Sequence, residues 1–344
     1  MTDNEILRLV GRKPIQTSIE ELSYYQGKTV AITGGAGTIG SGLVRKLLKL
    51  NPKQIIVIDW WENGIFYLQQ ELQNSDIVYK ICDTKSRGLG RIFKRYRPDI
   101  VIHASAYKHL PLMQENPIEA FNNNVFGTWN CIRYVIENKV KNFILVSTDK
   151  AVNTTSVMGA TKRLCEMLIE SQDCETIFNA VRFGNVLRSN GSVVNTFLDR
   201  IKNKQNLNVT SDKIKRYFMS IDEATDLILL SGTIAKNSEI FLFDMGEPIY
   251  IIELARKLIK ASRSKVGIDI IGLRRGEKMF EELAFDPDSM ERTSEGRIFK
   301  VKGEKVSKGT IKAVEKIFNK TLKFELDDIE MNCFIRNLGF NIKK

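Results

Sequence analysis

From Lys28 onward the chain alternates between two rhythms. Short runs rich in Val and Ile, apolar at consecutive positions, give way to longer stretches whose apolar residues recur every three or four positions. The first rhythm fits strands buried on both faces, and the second fits amphipathic helices packed on them. Strands are predicted over 28–33, 54–59, 76–81, 99–103, 142–147 and 177–183, with helices over 38–50, 62–73, 85–96, 117–138 and 157–172 between them. Six strands alternating with helices predict an α/β fold: a doubly wound parallel sheet with right-handed crossovers and helices on both faces.

The flanks read differently. Residues 1–27 form a lead-in with a capped helical turn over 17–22. After Gly184 the pattern loosens, with helices predicted over 193–203, 222–236 and 251–263 and a strand over 239–243. The organisation expected from this is a Rossmann-type domain over 28–185 that also takes in 219–250. A smaller C-terminal substrate lobe is expected from 186–218 and 251–300, followed by a Lys-rich helical tail over 301–344.

Composition narrows the partners. The 344 residues, 43% hydrophobic and 27% charged, suffice for a sizeable soluble core. No apolar run approaches the length of a membrane span, and the N-terminus lacks the pattern of a secretory signal, so no membrane insertion is expected. Lys plus Arg exceed Asp plus Glu by 52 to 41, a formal charge of +11 that favours an anionic partner. The basic residues are scattered and follow no helix-turn-helix or zinc-finger spacing, so a phosphorylated metabolite is expected rather than nucleic acid. Five widely spaced cysteines without a CxxC pair fit reduced thiols in a cytoplasmic protein. The only histidines are His103 and His109, too few for a zinc site, and they make a Ser-His-Asp triad improbable; no metal is expected.

The first strand runs into Gly34, Gly37 and Gly40, a GxxGxxG spacing that opens the following helix. Gly34 permits the tight turn, Gly37 lets backbone approach a pyrophosphate, and Gly40 lets helix and strand pack closely. The helix N-terminus presents free N–H groups to that anion. Asp59 closes the next strand 19 residues after Gly40, where its carboxylate can accept from ribose hydroxyls and would repel a 2′-phosphate. NAD is therefore favoured over NADP. No Gly-Lys-Ser/Thr follows, which excludes a Walker loop.

The fifth strand ends in Ser147-Thr148-Asp149-Lys150, and Met158 and Lys162 follow one helical turn apart. Strand carboxyl ends are where a doubly wound sheet binds ligands, so these polar groups converge beside the cofactor. The segments TGGAGTIG (33–40), HASAYKH (103–109), STDKAV (147–152), VMGATK (157–162), VRFGNVL (181–187) and GLRRGEKMFEEL (272–283) together carry a family resemblance. Over roughly residues 10–300 the chain resembles the extended short-chain dehydrogenase/reductase superfamily, and within it the bacterial UDP-N-acetylglucosamine 4,6-dehydratases.

That resemblance implies an NAD-dependent hydro-lyase. Thr38, Ile39, Asp83, Ala104, Ala106 and Lys162 would join Gly34, Gly37, Gly40 and Asp59 at the cofactor, with Tyr107 lining its site. Thr148 would relay the sugar hydroxyl proton, Lys150 would act as general base at C5, and Asp149 would act as acid for the departing 6-hydroxyl. Lys108, Asn185, Arg216, Arg274 and Glu277 would bind the nucleotide-sugar, with the two arginines on its diphosphate and Glu277 on the uridine ribose. Met158 stands where the superfamily's YxxxK tyrosine usually lies; it is typical of the branch that retains the C5 configuration. Arg275 departs from the proline frequent in relatives. Pairing of helices 117–138 and 157–172 between subunits is common in the superfamily and implies a homo-oligomer. His103 reads as a core histidine. The alternatives are a nucleotide-sugar 4-epimerase, which would rely on the missing tyrosine, and a non-catalytic NAD-binding protein.

Overall fold

A computed structural model describes every residue except 16, 237, 287, 289, 302–307, 324 and 343–344. A capping box on Thr2 opens helix α1 (Asp3–Leu9). Ser18 and Glu21 exchange reciprocal backbone–side-chain hydrogen bonds at the head of a 3-10 turn, Glu20–Tyr25. Six strands follow: β1 (Thr29–Thr33), β2 (Gln54–Asp59), β3 (Ile77–Ile81), β4 (Ile100–His103), β5 (Asn142–Val146) and β6 (Ile177–Arg182). Between them lie α2 (Thr38–Leu48), α3 (Glu62–Glu71), α4 (Gly88–Tyr96), α5 (Leu110–Glu115), α6 (Pro117–Ala120), α7 (Gly127–Glu137) and α8 (Val157–Glu170). Beyond β6 come short strands β7 (Asn185–Val186), β8 (Leu207–Val209), β9 (Lys215–Arg216) and β10 (Phe218–Met219), with α9 (Val193–Lys202) after β7 and α10 (Ile221–Ile234) after β10. The remainder is β11 (Glu239–Phe243), β12 (Ile249–Tyr250), α11 (Ile251–Ala261), β13 (Ile268–Ile270), β14 (Met290–Arg292), β15 (Ile298–Val301), α12 (Lys308–Leu322) and α13 (Asp328–Asn337).

The main sheet runs β3-β2-β1-β4-β5-β6-β11, all parallel, then β15 and β14, both antiparallel to their neighbours. This is a Rossmann-type α/β fold with a large parallel sheet. Residues in β1, β2, β4 and β5 are almost wholly buried, as a sheet covered on both faces requires. The strand order reverses between β1 and β4, which leaves a crevice at their carboxyl ends. A second apolar cluster lies apart from the sheet, built from α9, α11 and the short strands, with Phe197, Leu254 and Leu258 at its centre.

Two differences from the sequence expectations have physical causes. Residues 290–300, expected in the lobe, form β14 and most of β15 on the sheet; both strands are short and only partly buried, so they lack the signature of the buried parallel strands. Ile6 and Leu7 of α1, in the lead-in, are buried in the lobe's cluster. The single helix expected over 117–138 is α6, a π-helical turn (Phe121–Phe126) and α7 in succession. The tail packs back on that stretch: Phe318 meets Phe121, Phe126 and Trp129, and Phe334 meets Phe121. It thereby covers part of the face on which subunit pairing is expected. No described helix is long and apolar enough to cross a membrane.

Candidate active site

A cavity of about 880 Å³ opens over the carboxyl ends of the strands. Its floor is the glycine loop. Gly34 takes φ +68°, and a Cβ there would lie 2.7 Å from the backbone of Ala104. At Gly40 a Cβ would collide with the Gly34 carbonyl. These are cradles only glycine fits. The first turn of α2 has no side-chain cap, so its amides are available to an anion in the cavity, beside which Gly37, Thr38 and Ile39 lie. Asp59 lines the same space, fixed by the Ala36 N–H at 3.0 Å and the Trp61 N–H at 3.0 Å. Ala104, Ala106 and Tyr107 line it from the end of β4. Asp83 does not: its carboxylate accepts from the Lys85 backbone at 2.8 Å and pairs with the Lys85 ammonium at 3.1 Å, outside the lining. Trp60 and Trp61, which the sequence reading passed over, line the cavity next to Asp59.

The candidate catalytic stretch starts where β5 ends. Ser147 donates to Glu166 at 2.7 Å, which anchors the strand end in the protein interior. Thr148 then caps a 3-10 turn, Asp149–Ala151, and its hydroxyl donates to Asp149 Oδ1 at 2.9 Å. Lys150 Nζ donates to the same Oδ1 at 2.9 Å and to Asn185 Oδ1 at 3.2 Å, and lies 3.5 Å from Glu281 Oε1. Burial works against the Lys150 charge, but Asp149 and Glu281 outweigh it and hold the ammonium above the ordinary lysine range. Thr148 and Lys150 line the cavity; Asp149, 1% exposed, sits behind them.

Helix α8 closes this wall. Ser156 caps it by accepting from the Gly159 N–H, and a Cβ at Gly159 would run into Thr154 and the Lys150 carbonyl. That close approach sets Met158 and, one turn on, Lys162 against the cavity. Burial draws the Lys162 ammonium below its ordinary range. Beneath them His103 is a satisfied core residue: Thr33 lies 2.6 Å from Nδ1, Thr128 lies 2.9 Å from Nε2, and burial with Lys162 pushes its pKa down to about 3.

On the opposite wall, several residues expected to bind substrate are engaged within the protein. Arg216 lines the cavity, yet its guanidinium pairs with Glu277 at 3.3 Å and Glu281 at 3.4 Å and donates to the carbonyls of Lys278 and Met279. It ties down residues 277–281 and is not a free clamp for phosphate. Glu277 also accepts from the Arg274 backbone at 3.2 Å, while the Arg274 side chain reaches the cavity wall. Asn185 presents its carbonyl oxygen to Lys150. Lys108 donates to Ser189 at 3.2 Å and is drawn below the usual lysine range by burial and by Lys150. Glu281 escaped the sequence reading, although it lies within the same segment as Glu277. Among the described residues no group of His, Cys, Asp and Glu could hold a metal ion.

The sequence profile of the family described as "Polysaccharide biosynthesis protein" matches residues 30–303. This chain belongs to that family. The family reading places it among the extended short-chain dehydrogenase/reductases. It is 41% identical to the capsular polysaccharide biosynthesis protein CapD of Staphylococcus aureus, over 81% of this chain and 49% of that protein. The chain thus spans about half the length of the curated relatives it matches first. It is 33% identical to a UDP-glucose 4-epimerase of Rickettsia prowazekii, over 80% of this chain and 82% of that one. The X-ray structure of Pen from Bacillus thuringiensis superposes with a TM-score of 0.76 at 33% identity, covering 83% of this chain and 92% of that chain. More distant structures that share the fold include an NAD complex of a UDP-glucose 4-epimerase and a dTDP-glucose 4,6-dehydratase with NAD bound.

Proposed function

We propose that this chain catalyses the NAD-dependent 4,6-dehydration of UDP-N-acetylglucosamine, giving a 4-keto-6-deoxy sugar with the C5 configuration retained. One observation carries the reading: Thr148, Asp149 and Lys150 form a hydrogen-bonded chain at the cavity wall, beside a methionine where a tyrosine acid/base would stand. The glycine cradle, the uncapped α2 amides and Asp59 fit the pyrophosphate and ribose of NAD. Held there, NAD would supply reversible hydride chemistry, as acceptor for C4 and donor for C6.

The chain's own residues manage the protons. Thr148 relays the proton of the 4-hydroxyl to the Asp149 carboxylate, to which its own hydroxyl donates. The resulting ketone acidifies C5, and Lys150 removes that proton as general base. To do so it must first be neutral, so the Lys150 proton has to leave against the pull of Asp149 and Glu281. Asp149 lies behind the wall, so the proton it took from the 4-hydroxyl returns to the departing 6-hydroxyl through the Thr148 hydroxyl. Lys162 keeps a buried positive charge beside the cofactor ribose. A cytoplasmic location and a homo-oligomer belong to the same reading, and a subunit interface on the α6–α8 face would have to include α12 and α13.

A nucleotide-sugar 4-epimerase is the second reading, favoured by the Rickettsia relative and opposed by Met158, whose thioether transfers no proton. Incubation with UDP-N-acetylglucosamine followed by NMR separates the two. Dehydration yields a 6-methyl doublet and a hydrated 4-ketone. A galacto product would establish epimerisation, and an unchanged sugar would remove both readings.

A further inference from the structure

Lys150 has contacts on two sides. One side faces the main cavity; on the other stands Glu281, whose side chain is 2% exposed. Glu281 Oε1 is shared between Lys150 at 3.5 Å and Arg216 at 3.4 Å, while Oε2 is buried with no hydrogen-bond partner. An orphaned carboxylate oxygen in the interior costs free energy, so a protein retains one where it has a task or a missing partner. Glu281, absent from the lining of the main cavity, lines a second cavity of about 320 Å³ together with Tyr217, Ala284, Phe285 and Glu282. Glu282 is half exposed, so this second space reaches the surface. Among the described residues, Glu281 is thus the one carboxylate that touches Lys150 and borders a second opening to solvent.

We propose that Glu281 is the rear proton exit of the site, taking from Lys150 the proton removed at C5 and releasing it to solvent through the second cavity. The inference rests on the dehydratase reading. The balance is simple. The C5–H bond breaks and an N–H bond forms on Lys150. An N–H bond of the ammonium then breaks, an O–H bond forms on Glu281, and that proton passes to water. The reverse sequence returns a solvent proton to C5. Burial, with Asp149 adding to it, holds the Glu281 carboxyl above the usual glutamate range, which narrows the gap to its lysine donor. A sugar seated in the main cavity fills the front approach, and the rear one stays open. Glu281 acts through Lys150 and is a positioning residue, not one that touches the substrate.

The test is the fate of protium at C5 during turnover in D₂O. With the exit open, Lys150 exchanges before it returns a proton, and product is fully deuterated at C5. With the exit shut, the ammonium carries one protium among its three hydrogens, so about one third of product retains it. Glu281→Gln removes the acceptor. Ala284→Leu fills the second cavity and leaves the Lys150–Glu281 contact in place, so it also serves if the first variant folds poorly. The proposal expects retained protium to rise from near zero to about one third in both variants, and to return to near zero in Glu281→Asp. Full deuteration in Glu281→Gln, or in Ala284→Leu where that is the variant that folds, overturns it. A wild-type protein that leaves the sugar unchanged overturns the dehydratase reading instead, before any variant is made.

Discussion

Two clusters of buried charge lie on either side of the end of β5. Behind Ser147, Glu166 accepts from Ser147 and Arg182 Nε on one oxygen and from Arg182 Nη2 and Arg163 on the other. Phe285 covers both guanidiniums. Although burial opposes its charge, the two arginines hold Glu166 below the usual glutamate range. In front, the Asp149–Lys150–Glu281–Arg216 cluster leaves Asp149 Oδ2 and Glu281 Oε2 without partners, whereas in the rear cluster the central glutamate is complete and the unpartnered atoms, Arg182 Nη1 and Glu170 Oε1, are at its margin. The glutamate at the centre of the first cluster is saturated and has no bond left to make. The second retains acceptor capacity beside a cavity, which is what proton transfer requires.

The comparison can be broken from both sides. The largest effect falls on chemistry: Lys150→Ala should lower turnover by about 10³-fold or more and end deuterium exchange at C5, read by NMR, while NAD and the nucleotide-sugar still bind. Equal loss of cofactor would instead make Lys150 a structural residue. Next comes Glu166→Ala, which leaves the buried Arg182 guanidinium without its carboxylate while Arg163 keeps Glu170, and should cost about 3–5 kcal/mol in a denaturant melt. A loss within about 0.5 kcal/mol would show that the rear cluster does not anchor the strand end.

The smallest effect sits at the margin of the rear cluster. Burial outweighs the pairing of Glu170 with Arg163 and raises its carboxyl from 4.5 to about 7. Between those values the folded protein keeps a proton that the unfolded chain has lost. Its contribution is therefore full below pH 4.5 and fades as pH rises through about 7. Glu170→Gln should remove that slope and gain about 1–3 kcal/mol on wild type between acid and neutral pH, measured by melts across the range. Parallel pH profiles for the two proteins would contradict the assignment.

Much of this was legible in the chain. The Val/Ile runs of β1, β2, β4, β5 and β6 sit in a doubly buried sheet, where consecutive positions are mostly apolar, so they declare themselves. The glycines at 34, 37 and 40 and the carboxylate of Asp59 are set by local geometry and were read in place. Contacts made at long range were not. Arg216 looks like a phosphate ligand until residues 277–281 fold across it, and nothing near Glu281 in sequence reveals that Lys150 lies 3.5 Å away. The antiparallel pair β14 and β15 does not declare itself because its strands are three and four residues long and only partly buried. The π-helical turn at Phe121–Phe126 has the same apolar spacing as an ordinary helix over so short a span.

The pinning of the segment that bears Arg274, Glu277 and Glu281 has a consequence for how a ligand is received. Ahead of it, β13 is stitched to β8; behind it, β14 is stitched through β15 to β11; and Arg216 grips its middle. A stretch held at three places cannot swing as a hinged flap. Affinity on this wall would then draw on shape present before the encounter, with little chain ordering left to oppose association.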